Sequence, residues 1–504
     1  MNHLHLSLAS IRRLLCALVG ALWVAAASTL AGAQESSPDA ADPSRPGGPQ
    51  DPRDAATRIR RRPNIIVILS DDHRYDFFGS MGHSFIQTPH LDRLADEGVR
   101  FTNAFVTTSL CSPSRASFLT GQYAHTHGVQ NNFTPWNPEN RTFIEDLADA
   151  GYAGAFIGKW HMPGGLPDLN SLEEFVTFTV QDGQGRYFNC PLIVNGEEQS
   201  SRVPYLTTEL TNRAIEFVEA RRDEPFVIYL SHKAAHANFL PPPELEDLYD
   251  DADVHLPDDA HPFIQAGKGQ MVHGILQPIP DILRSYAETI TAMDAEIGRL
   301  LDTLDDLDLT DDTMVVYTSD NGYMWGEHGL VDKRWAYETS IRIPFLVRYP
   351  PLTGDVPDSG APTGSRAHGG SADAQAEASP PRELPQAVLN IDLAPTLLEL
   401  AGVAPSREMH GESWLGYLRE PDRPGREAFL YEYYLDFPFP VPPIRAVRTP
   451  RYKLVDYDSR RRDQLFDLEM DPAEERNLLR HESPPGLEER LRDRLDELQP
   501  GGGE

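Results

Sequence analysis

Two continuous β-branched runs, each followed by acidic residues, constrain the fold of this chain most. Residues 63–70 read PNIIVILS and residues 314–318 read MVVYT. Neither run alternates with polar residues, a pattern typical of strands buried on both faces in a central α/β sheet. Asp71-Asp72 and Asp320-Asn321 follow the two runs. Because ligands of open α/β sheets bind beyond the carboxyl ends of the strands, we expect these side chains to share one site.

The rest of the chain alternates helix and strand patterns. Residues 88–98 open with Pro in the first turn and close with Gly, residues 226–230 form an apolar run, and residues 280–304 are amphipathic with helical spacing. Such alternation predicts an α/β fold with a large, mostly parallel sheet flanked by helices. From residue 426 the pattern changes to short aromatic and β-branched runs, which predict a smaller C-terminal antiparallel sheet.

The amino terminus resembles a secretory signal. Arg12 and Arg13 precede an apolar run over residues 14–30, and Ala31-Gly32-Ala33 follows. We expect cleavage near Ala33 and export to the periplasm or the extracellular space; the alternative is an uncleaved anchor, although the run is at the short limit for a span. The predicted organisation is a signal peptide at 1–33, a flexible linker at 34–61, a catalytic domain at 62–425 with a low-complexity insertion at 351–385, and a small α+β subdomain at 426–495.

The charge of the chain excludes one class of partner and makes its lysines informative. The formal net charge of −32 argues against nucleic acid, whose phosphates require Lys and Arg. An anionic substrate would need concentrated positive charge at its site. Arginine greatly outnumbers lysine, so a retained lysine suggests a position that needs a compact ammonium. The chain has five lysines: Lys159, Lys233, Lys268, Lys333 and Lys453.

The acidic strand ends predict a site for a hard cation. Asp71, Asp72 and Asp320 offer carboxylates, and Asn321 offers an amide oxygen. Oxygen ligands of this kind suit Ca²⁺ or Mg²⁺. The alternative is that each acidic pair caps a helix or closes a turn, which is the usual role of an isolated Asp-Asp. Two pairs that each end a buried strand favour the metal site.

The segment around Cys111 carries the clearest nucleophile candidate. Residues 110–121 read LCSPSRASFLTG, in which Ser112-Pro113 can start a helix and Gly121 can end it. Cys111 would then lie at the helix N-terminus, where free N–H groups favour anions, with Arg115 one turn further on. The alternatives are a small buried hydrophobic residue or a bridge to Cys190. An exported chain with three cysteines is not built on a disulfide framework.

This segment is similar to the signature of the type I, formylglycine-dependent sulfatases. The shared pattern is Cys-x-Pro-Ser-Arg followed by Ala-Ser-x-Leu-Thr-Gly, and the resemblance continues over residues 63–478. It implies an alkaline-phosphatase-like fold and hydrolysis of sulfate monoesters. It also implies that a maturation enzyme oxidises Cys111 to Cα-formylglycine (3-oxoalanine), whose hydrate is the nucleophile.

Other segments resemble further parts of the family pattern and imply roles for their residues. The implied metal ligands are Asp71, Asp72, Asp320, Asn321 and the modified Cys111, with Ca²⁺ favoured over Mg²⁺. Lys159, Lys333 and Arg115 would bind the sulfate group, in agreement with the scarcity of lysine. His161 would lie near the formylglycine, and His236 would protonate the leaving alcohol.

The substrate is indicated only by a weaker resemblance to exported carbohydrate sulfatases, including proteins like N-acetylglucosamine-6-sulfatase. On this basis a sulfated glycan or small molecule is the expected partner, and the oligomeric state stays open. The alternatives are a phosphate or phosphonate ester hydrolase on the same fold, or a non-catalytic glycan-binding protein. Residues predicted to bind the substrate are Lys233, His328, Arg186 and Asn238. The roles of His125, His127 and His232 stay open between pocket and packing.

Overall fold

The computed structural model describes most of the chain from residue 62 onward. The described residues are 62–164, 166, 170–261, 270–272, 275–354, 382–457 and 461–499. The predicted signal peptide, the linker and most of the predicted insertion lie outside them, so these remain predictions. Among the described residues, no helix combines the length and the apolar character that a membrane span requires.

A ten-stranded mixed sheet carries the fold. In chain order the strands are β1 Asn64–Ser70, β2 Val99–Phe105, β3 Ala153–Gly158, β4 Glu174–Thr177, β5 Leu192–Val194, β6 Glu197–Gln199, β7 Phe226–Ser231, β8 Gln270–Val272, β9 Ile275–Gln277, β10 Thr313–Ser319, β11 Met324–Trp325, β12 Val331–Asp332, β13 Phe345–Arg348, β14 Arg382–Leu389, β15 Phe429–Tyr433, β16 Ile444–Arg448, β17 Tyr452–Asp456 and β18 Gln464–Asp467. The strand order in the large sheet is β14-β2-β13-β10-β1-β7-β3-β4-β5-β6. Five neighbouring strands at its centre, from β10 to β4, are parallel, which confirms the predicted mostly parallel sheet.

Helices cover both faces of this sheet. The α-helices are α1 Pro89–Asp96, α2 Cys111–Thr120, α3 Ala124–His127, α4 Phe143–Asp149, α5 Leu206–Arg221, α6 Ile279–Asp306, α7 Glu338–Ile341, α8 Pro350–Thr353, α9 Leu393–Ala401, α10 Leu415–Arg419 and α11 Leu487–Leu498. Successive strand residues point to opposite faces. Val67 of β1 therefore packs in one apolar cluster with Phe143 of α4, whereas Ile68 packs in another with Met293 of α6. Burial on both faces explains the unbroken apolar sequence of β1.

The C-terminal strands β15, β16, β17 and β18 form a separate antiparallel sheet, as predicted. Leu430 and Leu454 on one face pack against Leu491 of α11. Phe429 and Tyr431, on the other face of β15, join the apolar cluster of the large sheet. The smaller sheet therefore shares a core with the larger one, and the domain boundary at residue 426 stays a prediction.

The predicted low-complexity insertion at 351–385 is too wide at both ends. Residues 350–353 form α8, and Arg382 begins β14, which pairs in parallel with β2. Pro385 obscured this strand in the sequence. Proline is tolerated in β14 because the strand lies at the sheet edge and its register shifts between Leu384 and Ala387. Leu384 is buried, which anchors the strand.

Candidate active site

The two acidic strand ends meet at one edge of the large sheet. β1 and β10 are parallel neighbours with Ser70 opposite Ser319, so the residues after each strand emerge side by side. Carboxylate oxygens of Asp71, Asp72 and Asp320 all lie within 4.8 Å of one another, and all three residues are buried. The sequence therefore anticipated the position of this cluster from strand ends alone.

Two polar atoms in this cluster have no hydrogen-bond partner although both are buried: Asp72 Oδ2 and Asn321 Oδ1. Their side chains are otherwise fixed, because Asn321 Nδ2 donates to Asp72 Oδ1 at 2.6 Å and the Asp72 amide donates to Asp320 Oδ1 at 3.0 Å. Buried polar atoms are normally satisfied, so free oxygens aimed into an acidic cluster fit a bound cation. An all-oxygen donor set suits Ca²⁺ or Mg²⁺. The residues present thus fit the divalent ion that the sequence predicts.

Cys111 is the first residue of α2, and its thiol lies against this cluster. Its Sγ is 3.2 Å from Lys333 Nζ and 3.8 Å from Asp71 Oδ1. The helix ends at Gly121, whose φ of 69° is the left-handed conformation expected of a glycine cap. Burial raises the pKa of the Cys111 thiol to about 12, although Lys159 and Lys333 oppose the rise. The unmodified side chain is therefore a neutral thiol at neutral pH.

Three cations surround the carboxylates and balance their charge. Lys159 pairs with Asp71, and Lys333 pairs with Asp72. Arg115 Nε donates to Asp320 Oδ2 at 2.9 Å. All three cationic side chains are almost fully buried.

The carboxylates that pair with the two lysines also have shifted pKa values. Burial raises the pKa of Asp72 to about 7, with the carboxylates of Asp71 and Asp320 adding to the rise against Lys333. The pKa of Asp71 lies well below its usual value, because Lys159 and the other nearby cations outweigh the effect of burial.

Two histidines flank the cluster. The His236 Nε2 lies 3.9 Å from Asp72 Oδ2, and His161 follows β3. Burial lowers the pKa of both imidazoles well below the usual value, so both are neutral at neutral pH. Gln184 holds His161 in place, with Nε2 at 2.8 Å from the His161 Nε2, and its Oε1 accepts from Lys159 Nζ at 2.8 Å.

A cavity of about 790 Å³ opens over these groups. Cys111, Lys333 and both histidines line its inner end. The cavity is also lined by residues that the sequence did not single out, which we call its outer part: Asn132, Phe133, Arg334, Asp436 and Phe439. Asp436 and Phe439 come from the loop after β15, so the C-terminal sheet contributes a wall of the site. Only the change of pattern near residue 426 marked that region in the sequence.

The four residues predicted to bind the substrate do not line this cavity. Lys233 places its ammonium 5.0 Å from the centre of the Tyr187 ring. The ring of His328 stacks on Tyr337 at 3.8 Å between centroids. Arg186 is exposed, and Asn238 lies in the turn after β7. Their predicted role in substrate binding therefore stays a prediction.

The histidines left open also lie outside the cavity walls. His125 pairs with Glu432 of the C-terminal sheet at 2.8 Å. The Nε2 of His127 lies 3.0 Å from Ser117 Oγ. His232 is fully buried. Packing is therefore the structural role of these three side chains, whereas His161 and His236 face the site.

Comparison with known proteins agrees with this geometry. N-acetylglucosamine-6-O-sulfatase of Bacteroides thetaiotaomicron is 28% identical over 512 residues, covering 87% of this chain and 86% of that protein. A solved structure described as a complex with its substrate D-glucosamine-2-N,6-O-disulfate has a TM-score of 0.74 at 26% identity, over 87% of this chain and 98% of the other. Phosphonate monoester hydrolase of Agrobacterium radiobacter has a TM-score of 0.67 at 20% identity, over 87% and 95%, which shows the fold alone.

Matches to family models identify the family to which the chain belongs. The model described as N-sulphoglucosamine sulphohydrolase, C-terminal, matches residues 375–501. The model described as Sulfatase matches residues 63–403, which is more than half of the chain and includes every residue of the acidic cluster and of the cations around it. On that match the chain belongs to the sulfatase family and is a sulfuric ester hydrolase.

Proposed function

We propose that this chain hydrolyses the sulfate ester of a sulfated carbohydrate, with a nucleophile formed from Cys111 and a divalent cation beside it. The observation that carries the proposal is the position of Cys111. It begins a buried helix between Lys333 and a three-carboxylate cluster, at the inner end of a cavity. Helix N-termini and ammonium groups both favour anions, so a sulfate group would be held directly against residue 111.

The properties of the thiol support its conversion to formylglycine. A buried thiol with a pKa of about 12 is not ionised near neutral pH, and the thiol form of cysteine is a weak nucleophile. Formylglycine, once hydrated, supplies a hydroxyl nucleophile and a second hydroxyl through which sulfate can be released. Its formation requires a maturation enzyme in the producing cell.

Asp71, Asp72, Asp320 and Asn321 would hold the cation, for which Ca²⁺ is the proposed identity. A bound divalent ion supplies Lewis-acid polarisation of the sulfate group and lowers the pKa of a coordinated hydroxyl. Lys159, Lys333 and Arg115 would then neutralise the sulfate oxygens as charge develops in the transition state. Each of them already has a carboxylate partner, which fixes its position before substrate binds.

The two neutral histidines are placed for proton transfer. His161, held by Gln184, can accept a proton near residue 111. His236 lies beside Asp72 at the cavity wall, and the negative charge of a bound ester would raise the low pKa of its imidazole. Proton uptake by His236 is thereby coupled to substrate binding, and His236 can then protonate the leaving alcohol with help from Lys333.

The proposed substrate class follows the Bacteroides relative named N-acetylglucosamine-6-O-sulfatase and the solved complex with a sulfated glucosamine. A cavity of about 790 Å³ has room for a sugar ring beyond the sulfate group. We also propose that the protein is exported before it meets its substrate. This part of the proposal rests on the sequence of residues 1–33.

The experiment measures sulfate release from 6-sulfated N-acetylglucosamine by protein produced with a formylglycine-generating enzyme. We expect turnover that is lost in Cys111→Ala and after removal of Ca²⁺ by a chelator, and that returns with added Ca²⁺. Cys190→Ala, which changes the second buried free cysteine of the described residues, is the matched control and should stay active. Intact-mass analysis should find an aldehyde at residue 111. Full activity with an unmodified thiol would refute the mechanism.

The second candidate is an additional activity on phosphate or phosphonate esters, because the phosphonate monoester hydrolase of Agrobacterium shares this fold. The same preparation separates the two by its initial rates on an aryl sulfate and the matching aryl phosphate. A higher kcat/KM for the phosphate would favour this candidate. A non-catalytic glycan-binding role predicts no release from either ester.

A further inference from the structure

Exposed apolar side chains are concentrated at the mouth of the active-site cavity. Among the described residues, eight large apolar side chains are exposed, and the three exposed phenylalanines all belong to two segments that border the cavity. Phe133 is 64% exposed, Phe437 77% and Phe439 39%. Phe133 and Phe439 line the cavity, and Phe437 lies between its lining residues Asp436 and Phe439. We call Phe133, Phe437 and Phe439 the aromatic rim.

Single exposed apolar residues are common, whereas a cluster at a cavity mouth marks a binding surface. Exposed phenylalanines lose contact with water when a partner covers them, at a gain of about 25 cal/mol for each Å² of apolar area. Phe133 and Phe439 line the same cavity as Lys333, so a molecule whose sulfate group lies at Lys333 would extend along the cavity towards them.

Hydrogen bonds hold the two segments of the aromatic rim together. Asn131 Nδ2 donates to the carbonyl of Leu435 at 3.0 Å, which joins the segments. Asn131 Oδ1 accepts from the amide of Phe133 at 3.0 Å, and the amide of Phe439 donates to the carbonyl of Asp436 at 2.9 Å. A surface fixed in this way loses little conformational entropy when a ligand binds.

The charges near the aromatic rim oppose a second anionic group. Arg334 lies with its Cζ 3.5 Å from the centre of the Phe439 ring, but it is paired with Asp332 and, at 3.2 Å, with Asp436. Asp182 also lines the cavity. The outer cavity is therefore neutral to acidic, in a chain whose net charge is −32. A uronic acid or a second sulfate here would be repelled.

We propose that the aromatic rim binds the C–H face of a second, uncharged sugar residue joined to the sulfated one. This proposal rests on the proposed function. A hexose ring has one face of C–H groups and an edge of hydroxyls, so it can cover a phenylalanine while its hydroxyls stay in water. The occupant thus has an apolar face and no charge, which matches the rim. The preferred substrate is an oligosaccharide whose single charged group is the sulfate at its end.

The test compares three substrates: 6-sulfated N-acetylglucosamine, its disaccharide with galactose, and its disaccharide with glucuronic acid. In Phe437→Ala, which changes a residue that does not line the cavity itself, kcat/KM for the galactose disaccharide should fall about fivefold, while that for the monosaccharide changes less than about twofold. Met470→Ala, which removes a side chain that is 76% exposed in the turn after β18, is the matched control. The wild type should prefer galactose to glucuronic acid as the second sugar.

An equal loss on all three substrates, or no loss on any, would overturn the proposal. So would a preference for the glucuronic acid disaccharide. A dimer that dissociates in Phe437→Ala, measured by sedimentation, would assign the rim to a second copy of the chain instead.

A binding experiment distinguishes failure of this proposal from failure of the proposed function. Titration of Cys111→Ala with the unsulfated disaccharide, followed by NMR, requires no catalysis. Weaker binding after the additional change Phe437→Ala supports the rim even if the wild type releases no sulfate. Binding that is unchanged by that substitution refutes the rim while the wild-type turnover tests the function.

Discussion

Two buried lysines have carboxylate partners, and the short segment 333–338 connects their surroundings. Lys333 is the first residue of this segment, and Lys453 pairs with its last residue, Glu338. Lys333 pairs with Asp72 and lines the cavity. Lys453 is fully buried, with Nζ 3.0 Å from Glu338 and 2.5 Å from Glu474, and none of these three residues lines the cavity. The chemistry of the two clusters is the same, an ammonium among carboxylates. What differs is access, because a substrate can reach only the first.

The comparison teaches that burial and charge do not by themselves identify a catalytic group. A buried ion pair costs desolvation energy, and a protein retains one where it serves reactivity or fixes a particular arrangement. The Lys453 cluster joins β17 to the start of α7, five residues after Lys333. Its role in this arrangement is to hold the small sheet against the loop that carries Lys333.

The largest expected effect is on activity at the cavity cluster. Lys333→Ala removes an ammonium aimed at the sulfate oxygens, so kcat/KM for sulfate release should fall about 10³-fold. Lys333→Arg should restore little, because a planar guanidinium does not match the compact site. Initial rates on 6-sulfated N-acetylglucosamine measure both. Activity near the wild-type level in Lys333→Ala would place this lysine in the same structural class as Lys453.

At the Lys453 cluster, the expected effect of a substitution is a lower free energy of unfolding. Lys453→Met leaves Glu338 and Glu474 buried without their ammonium, and the free energy of unfolding should fall by about 3 kcal/mol. The protein that remains folded should keep its kcat. Urea denaturation measures the change, and Arg451→Ala, which removes an exposed ion pair with Asp467, is the matched control, with a much smaller expected loss. Equal losses in the two variants would contradict the buried network.

The same cluster predicts a pH dependence. Burial raises the pKa of Glu474 to about 7, with Glu338 adding to the rise and Lys453 opposing it. Because the folded state binds this proton more tightly than the unfolded chain, the stability from Glu474 is present at low pH and is lost as pH rises from 4.5 to about 7. The pKa of Glu338 falls to about 2, because Lys453 and Arg448 outweigh burial, so its contribution is lost only in acid.

Glu474→Gln removes the group that titrates near neutral pH. Relative to the wild type, the variant should gain stability as pH rises from about 5 to about 8, and urea denaturation at several pH values measures the difference. Glu469→Gln, in an exposed ion pair with Arg451, is the control and should show no such trend. A wild-type-to-variant difference that is constant with pH would contradict the raised pKa of Glu474.

The sequence predicted the inner site better than the outer one for a physical reason. Strand ends, a helix N-terminus and scarce lysines each have a local signature that marked Asp71, Cys111 and Lys333, and the resemblance to the sulfatase pattern implied that the three share one site, where the structure places them. The sheet order was not needed, because parallel strands that end at one edge bring their following residues together. The scarcity of lysine also marked Lys453, but no motif around it distinguished structure from catalysis.

The residues that line the outer part of the cavity could not be predicted from local sequence patterns. Arg334, Asp436 and Phe439 come together only because the loop after β15 folds over the segment after β12. That contact depends on how the two sheets share a core, which is a non-local property of the chain. For the same reason, the distance of Lys233 along the sequence from His236 could not predict that its ammonium lies over the Tyr187 ring.

The smallest expected effect is at the contact between the two sheets nearest the site. Tyr431 of β15 donates its hydroxyl to the carbonyl of Arg334 at 2.7 Å, next to Lys333. Tyr431→Phe leaves that buried carbonyl with one bond fewer, so unfolding should cost about 1 kcal/mol less and kcat/KM should fall about threefold through a looser Lys333. Tyr434→Phe, which loses a hydroxyl bonded to Glu432 away from this segment, should leave kcat/KM unchanged. If both variants lose activity equally, the small sheet supports the catalytic domain generally and does not position Lys333 in particular.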